Sequence, residues 1–303
     1  MLAQYVRLAR PSHWLKNLTV IMPVVFGLHV ADASAWGRAF VAVAAFCLVS
    51  SAAYVYNDIR DRQSDCAHPL KKNRPLASGA VPVQAAAIEA AMLLVLGLGL
   101  AILLSKLVFV AVGVYAALQV AYTVFFKQRV LVDVTCIALG FVLRAAAGAL
   151  AIHVAISPWL FICLFTLCLF MGFCKRYTEV VTLQQRGDMQ DHRQNLISYT
   201  PELLTHLVTV SAGIAVVAFL MYGMSDETVA RVGCNYFVYT LPLVTYAVFR
   251  FAMLSMQGRY LDPTDLLLRD RPMQASGILW GILATVIIYR GGAIRRWIES
   301  LGP

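Results

Sequence analysis

Tyr56-Asn57-Asp58-Ile59-Arg60-Asp61-Arg62-Gln63-Ser64-Asp65 follows directly on an apolar run, and the polar stretch continues through His68-Pro69-Leu70-Lys71-Lys72-Asn73-Arg74-Pro75-Leu76-Ala77-Ser78-Gly79. The run behind it, residues 36 to 56, is long enough at about 1.5 Å rise per residue to cross about 30 Å of hydrocarbon. If that helix carries on past Asn57, spacings of three and four set Asp58, Asp61 and Asp65 on one face. At about 6 Å separation and an effective dielectric near 20, each like pair costs about 3 kcal/mol. Three ionised carboxylates therefore require a compensating cation. Magnesium suits them, because it takes one or two carboxylates, keeps waters and completes its octahedron with phosphate oxygens. Lys71, Lys72 and Arg74 follow within one loop and supply grips for those phosphates. A solvated loop in which Asp and Arg pair at helical spacing accounts for Arg60, Arg62 and Lys72. It accounts less well for a carboxylate column that starts at a membrane boundary beside an amide.

Composition agrees with a membrane setting. Of 303 residues, 60% are hydrophobic and 14% charged, with a mean hydropathy of +0.72, against about 25% charged in a soluble domain. A soluble enzyme and a disordered chain are both excluded. The net charge of +9 would suggest nucleic acid only if basic residues gathered on one solvated face. Here they lie between apolar runs, which points to membrane topology, an anionic substrate and no nucleic acid. Cutting the chain into spans gives nine, near residues 15–31, 36–56, 83–105, 107–126, 131–152, 158–175, 203–223, 234–252 and 274–291. Pro11, Pro82, Pro158 and Pro272 each stand where a first helical turn accepts proline. With no internal repeat and no low-complexity linker, residues 1–303 read as one all-α integral membrane domain. The basic N-terminal flank and the small residues Ala33-Ser34-Ala35 mimic a signal peptide, but the many spans that follow argue for retention.

With the N-terminus cytoplasmic, the N-terminal segment and the loops after spans 2, 4, 6 and 8 hold 18 of the 25 basic residues, as the positive-inside rule requires. Ten of the 16 carboxylates gather on the same face. Acidic residues have little influence on topology, so a polar site at the cytoplasmic face is the natural cause. The seven cysteines read as small buried hydrophobes, and Trp14, Trp159, Trp280 and Trp297 as interface anchors. Arg144, inside span 5, is a functional residue by default or pairs with Asp133 or a carbonyl. His13 and His68 read as loop residues. Asp188 and Asp191 read as plain loop charge rather than remnants of a second metal box. Symmetric self-association into a homo-oligomer is compatible with such a fold.

Asn57-Asp58-x-x-Asp61-x-x-x-Asp65, followed by Lys71-x-x-Arg74-Pro75 and Ser78-Gly79, resembles the first aspartate-rich motif of the UbiA superfamily of intramembrane prenyltransferases. Tyr122 with Lys127, Asp133, and Gly140-Phe141-Val142-Leu143-Arg144-Ala145 also resemble family positions. The resemblance implies nine helices around a central cavity beneath a cytoplasmic cap, open sideways to the lipid bilayer. Prenyl diphosphate users in the superfamily carry a second aspartate motif after span 6, where this chain has Lys175-Arg176-Tyr177-Thr178-Glu179. That basic pair favours an additional phosphate. Together with Arg10-Pro11-x-x-Trp14-x-Lys16-Asn17, Ser157-Pro158-Trp159 and Leu268-Arg269-Asp270-Arg271-Pro272-x-Gln274, it resembles the decaprenyl-phosphate phosphoribosyltransferase branch.

Membership of that branch implies a magnesium-dependent enzyme of a bacterial cytoplasmic membrane, with its active site on the cytoplasmic side. It would join phosphoribosyl pyrophosphate (PRPP) to a polyprenyl phosphate for cell-envelope polysaccharide synthesis. Asp58, Asp61 and Asp65 then take the metal and diphosphate, oriented by Asn57, while Lys71 and Arg74 stabilise the leaving pyrophosphate. Lys16, Asn17, Tyr122, Lys127, Lys175, Arg176, Glu179 and Arg271 share the C5 phosphate, the ribose and the lipid phosphate, undivided. Two other classes stand beside this one. The first is a prenyltransferase acting on an aromatic or haem-precursor acceptor. The second is a transporter, whose ionisable groups should instead run through the bilayer as a relay.

Overall fold

The computed structural model describes residues 2–67, 71–186, 198–260 and 263–301. Its elements are helices joined by turns, with no strand among the described residues. In order they are α1 (Leu2–Ala9), a 3-10 helix (Pro11–Ile21), α2 (Met22–Phe26), α3 (Ala33–Ala67), a 3-10 turn (Lys71–Asn73), α4 (Val83–Leu104), α5 (Lys106–Ala121) running into a π turn (Tyr122–Phe126), and α6 (Val132–Ala151). The second half holds α7 (Pro158–Arg186), α8 (Pro201–Met224), α9 (Asp226–Val232), a 3-10 turn (Tyr236–Thr240), α10 (Leu241–Met256), α11 (Pro263–Arg269) and α12 (Arg271–Ser300). Eight of these helices are long and apolar enough to cross a membrane. They match the second to ninth spans cut from the sequence, and the chain is a multi-pass membrane protein.

The first expected span is corrected. Residues 15–31 do not form one long α-helix but fall in the 3-10 helix and the five-residue α2. Polar His13, Lys16, Asn17 and Thr19 and a second proline, Pro23, interrupt the apolar run, and packing dictates the tighter coil. A Cβ on Gly148 would collide with the Val20 carbonyl oxygen, so this segment lies backbone-against-backbone on α6. His13 accordingly belongs to a helix rather than a loop, its ring edge-on to Tyr54 at 5.0 Å. His68, Asp188, Asp191 and Asp262 lie outside the described residues.

The chain divides into two compact units, residues 1–127 with 139–155, and residues 128–138 with 156–303. In the first, α3 turns a stripe of small residues, Ala35, Ala39, Ala42, Ala45 and Ala52, inward. Phe46, Val49, Val108, Val112 and Tyr115 fill the space between helices. A Cβ on Gly97 of α4 would meet Val49 at 2.6 Å, which is the close approach small residues permit between membrane helices. At the end of the unit opposite the carboxylates, Arg38 donates to the carbonyls of Ala151 and Leu104 and so caps α6 and α4 together. The second unit packs Val134, Phe170, Phe173, Leu204, Val208, Val248, Phe251 and Leu254 into its own core. Thr200 caps α8 through the Leu203 N–H.

Helices α3 and α7, at 35 and 29 residues, exceed the roughly 20 residues a bilayer needs. Their surplus turns carry the polar residues singled out by sequence.

Candidate functional site

The last third of α3 carries Asp58, Asp61 and Asp65, and basic side chains from three separate segments reach them. Arg74 is delivered by the turn after α3. Its N–H bonds to the Lys71 carbonyl, Ser78 N–H returns to the Arg74 carbonyl, and Gly79 supplies the positive φ of +76° that closes the loop. Leu76, fully buried against Leu8, Val55, Val81 and Ala86, pins the loop to the helix. Burying a leucine in this way is worth about 1.5–3 kcal/mol. Held there, Arg74 Nη1 lies 3.1 Å from Asp58 Oδ1 and 2.7 Å from Asp65 Oδ2.

Arg10 reaches the same carboxylate from the junction between α1 and the 3-10 helix, donating from Nη2 to Asp58 Oδ1 at 2.5 Å. Its backbone is left-handed, φ 51°, a conformation that persists in a non-glycine residue only where the surroundings over-determine it. They do so here. The Ser51 hydroxyl donates to the Ala9 carbonyl, Trp14 Nε1 donates to Ser51, and the Arg10 guanidinium lies 5.4 Å from the centroid of the Tyr54 ring.

Lys127 follows the π turn that ends α5, and its N–H bonds to the Tyr122 carbonyl. Such turns recur at functional sites. The Lys127 ammonium pairs with Asp61 and donates to Asn57 Oδ1 at 3.1 Å, while Asn57 Nδ2 donates to Asp61 at 3.0 Å. The column is thus divided. Asp58 and Asp65 converge on one guanidinium nitrogen, and Asp61 turns to the amide and the ammonium. Among the described residues, no three acidic, histidine or cysteine side chains converge tightly enough for an ion without rearranging. Donor chemistry nevertheless fits a hard divalent ion, because two carboxylate oxygens already cradle one cationic atom, and the Asp61 and Asn57 oxygens meet at a second.

Of the other residues singled out, Lys16 and Lys71 are half-buried on the 3-10 helix and the 3-10 turn, and Tyr122 is half-buried at the start of the π turn. Asn17 is fully buried. In the second unit, Lys175 is half-buried on α7, and Arg271 is exposed at the first position of α12. Arg176 is brought against two carboxylates, Asp133 at 2.9 Å and Glu179 at 2.5 Å. The Lys175-Arg176 pair therefore does not present two uncompensated charges. Asp133 is completely buried and accepts a second bond, 2.8 Å, from the Tyr199 hydroxyl, which itself accepts the Leu131 N–H. Burial pushes the Tyr199 hydroxyl pKa up, keeping it protonated. Asp270, of the Leu268–Gln274 motif, caps α12 through Met273 N–H and receives both Nε and Nη2 of Arg250.

Sequence inspection gave no role to Arg10, Tyr199 or Arg250. Only Arg10 carried a signal, its place in the Arg10-Pro11-x-x-Trp14 motif. Arg144 is not partnered with Asp133, but with Asn17 and Tyr115.

An aspartate column on the surplus turns of a long membrane helix, met by basic residues from neighbouring loops, gathers acids and cations at one end of a polytopic membrane protein. The chain belongs to the UbiA prenyltransferase family, whose model matches residues 20–267. It is 30% identical over 295 residues to a decaprenyl-phosphate phosphoribosyltransferase of Mycolicibacterium smegmatis, covering 94% of this chain and 92% of that one. To the protein of the same name from Corynebacterium glutamicum it is 32% identical, covering 94% and 86%. The fold is that of a UbiA homologue from Archaeoglobus fulgidus solved with GPP and Mg2+, with a TM-score of 0.71 at 20% identity, covering 94% and 99%.

Proposed function

We propose that this protein transfers the 5-phosphoribosyl group of PRPP to a polyprenyl phosphate and releases pyrophosphate. It would act at the cytoplasmic face of a bacterial inner membrane, with its N-terminus inside. What carries the reading is the similarity, along 94% of the chain, to proteins named for that transfer, in a chain whose aspartate column is interleaved with cations.

Asp58, Asp61 and Asp65 would hold magnesium, which when bound neutralises diphosphate charge. Three carboxylates and three cations offset one another, with Asp58 held by Arg10 and Arg74, Asp65 sharing Arg74, and Asp61 held by Lys127. With magnesium and diphosphate bound, these carboxylates would face the ion, and Arg10, Arg74 and Lys127 would be released to face phosphate oxygens. Arg10, Arg74 and Lys127, joined by Lys71, then stabilise charge building on the leaving group. Asn57, already bonded to Asp61 and Lys127, keeps both oriented. The C1–O bond to diphosphate breaks with its electron pair passing to pyrophosphate, and a phosphate oxygen of the lipid forms the new C1–O bond. That nucleophile is ionised at neutral pH and needs no general base. Lys16, Asn17, Tyr122, Lys175, Arg176, Glu179 and Arg271 remain the candidates for the C5 phosphate, the ribose and the lipid phosphate, with the charge of Arg176 already offset.

Purified protein with magnesium, labelled PRPP and polyprenyl phosphate should yield labelled lipid, and Asp61→Asn should abolish it. Prenylation of an aromatic acceptor by a prenyl diphosphate, without ribosyl transfer, would overturn the proposal.

A further inference from the structure

Arg144 lies within the membrane-spanning helix α6 and is 4% exposed. Arg10, Arg74, Arg176 and Arg250 each face a carboxylate, but every partner of Arg144 is neutral. Its Nε donates to Asn17 Oδ1 and its Nη2 to the Tyr115 hydroxyl, both at 2.7 Å. The guanidinium carbon lies 4.7 Å from the Tyr115 ring centroid and 5.1 Å from that of Phe141. A guanidinium has five N–H donors, so these two bonds leave capacity unused. Nη1 stands beside Gly140, where a Cβ would come within 3.4 Å of it, and glycine keeps that approach clear. An ion buried in hydrocarbon without a counter-charge is costly and marks function.

Position indicates which anion belongs there. Asn17 Nδ2 lies 3.3 Å from Ser50 Oγ on α3, and Ser50 precedes Asp58 by eight residues, or about 12 Å of helix. Arg144 is therefore anchored about two turns deeper in the first unit than the aspartates. When C1 of the sugar loses its diphosphate toward the aspartates, its opposite side is left open, on the deeper, lipid side, where a lipid head group can be drawn in. We propose that Arg144, with Asn17 and Tyr115, is the phosphate-monoester site that holds the head group of the lipid acceptor. This assignment rests on the function proposed above. The donor's C5 phosphate shares the same chemistry and must be separated from it by experiment.

The test uses full-length protein in nanodiscs without PRPP, measuring binding of labelled polyprenyl phosphate, polyprenol and ribose 5-phosphate to wild type, Arg144→Met, Arg144→Lys and Asn17→Asp. Asn17→Asp is the decisive variant, because it sets a carboxylate against Nε and neutralises Arg144 from within. Wild type should prefer polyprenyl phosphate over polyprenol, and Arg144→Met and Asn17→Asp should reduce that preference by about 10- to 100-fold, the worth of a charge-assisted hydrogen bond. Arg144→Lys should retain part of it. In turnover the same variants should raise KM for the lipid and leave KM for PRPP unchanged. The thermal midpoint of Asn17→Asp should equal or exceed that of wild type, so lost binding would not reflect lost folding. Unchanged preference in Asn17→Asp, or a loss confined to ribose 5-phosphate, would overturn the assignment. Absence of ribosyl transfer in every protein, with the phosphate preference intact, would sink the proposed function and leave the anion site standing.

Discussion

The polar end of α3 and the Asp133 cluster of the second unit are both assemblies of acids and bases, yet they are built for opposite ends. At α3 the partners come from segments 48 and 66 residues away in sequence, and although Asp58, Asp65 and Lys127 are only 3%, 5% and 11% open, their partners Arg10, Arg74 and Asp61 keep 20%, 29% and 23% of their side-chain surface open. Around Asp133, Arg176 is 6% open and the carboxylate not at all. Pairs in contact with solvent hold each other weakly and can exchange partners. A buried pair cannot lose one member without stranding the other. The first assembly is therefore fit to trade its ion pairs for a metal and a diphosphate, whereas the second fixes α7 to the start of α6.

The widest separation should come from neutralising one acid in each. Asp58→Asn is expected to lower transfer by about 1000-fold, the upper range for removing one electrostatic group from an active site, with a smaller drop in thermal midpoint than Asp133→Asn, because Arg10 and Arg74 keep contact with solvent. Asp133→Asn should do the reverse, lowering the midpoint in detergent while the folded fraction still turns over. Scanning fluorimetry beside a radiochemical assay reads both, and a stability loss in Asp58→Asn equal to that in Asp133→Asn would erase the distinction.

Arg176→Met sharpens the contrast at a residue that the sequence places among the phosphate ligands. Removing it strands a fully buried carboxylate, a loss of about 3–5 kcal/mol, so unfolding should move to clearly lower temperature. Full stability with a raised KM for PRPP would instead make Arg176 a substrate ligand. Tyr199→Phe is a milder version. It deprives Asp133 of one donor and Leu131 N–H of its acceptor, about 1–3 kcal/mol, and hydrogen exchange at Leu131 should quicken.

The two assemblies were unequally legible in sequence. The acids of α3 stand at spacings of three and four on a helix whose apolar half announces itself, so their common face and their need for a cation could be read directly. The identity of that cation could not. Arg10 and Lys127 meet α3 through tertiary packing, and no spacing encodes a partner 48 or 66 residues away. The apolar ruler located the eight long spans because it measures hydrophobic length. It misjudged residues 15–31 because a 3-10 helix seated against Gly148 has the same composition as an α-helical span. Arg144 was visible as a charge out of place, but its neutral partners Asn17 and Tyr115 lie on two other segments. Asp133, the second residue of α6, carried no sign that Tyr199 and Arg176 would close over it.

The smallest expected effect belongs to Asp270, an ion pair that ties α10 to the start of α12. The Arg250 guanidinium beside it, aided by the Met273 N–H, holds its carboxyl below the usual carboxylate range. A carboxylate with a depressed folded-state pKa contributes stability that is complete above its unfolded value, about 3.9, and is lost as pH falls through the lower folded value. Wild type should therefore exceed Asp270→Asn in thermal midpoint at pH 7, and the gap should narrow only below about pH 4. A midpoint difference between wild type and Asp270→Asn that is flat from pH 7 to pH 3 would show that the bond to Met273, and not the charge of Arg250, is what Asp270 contributes.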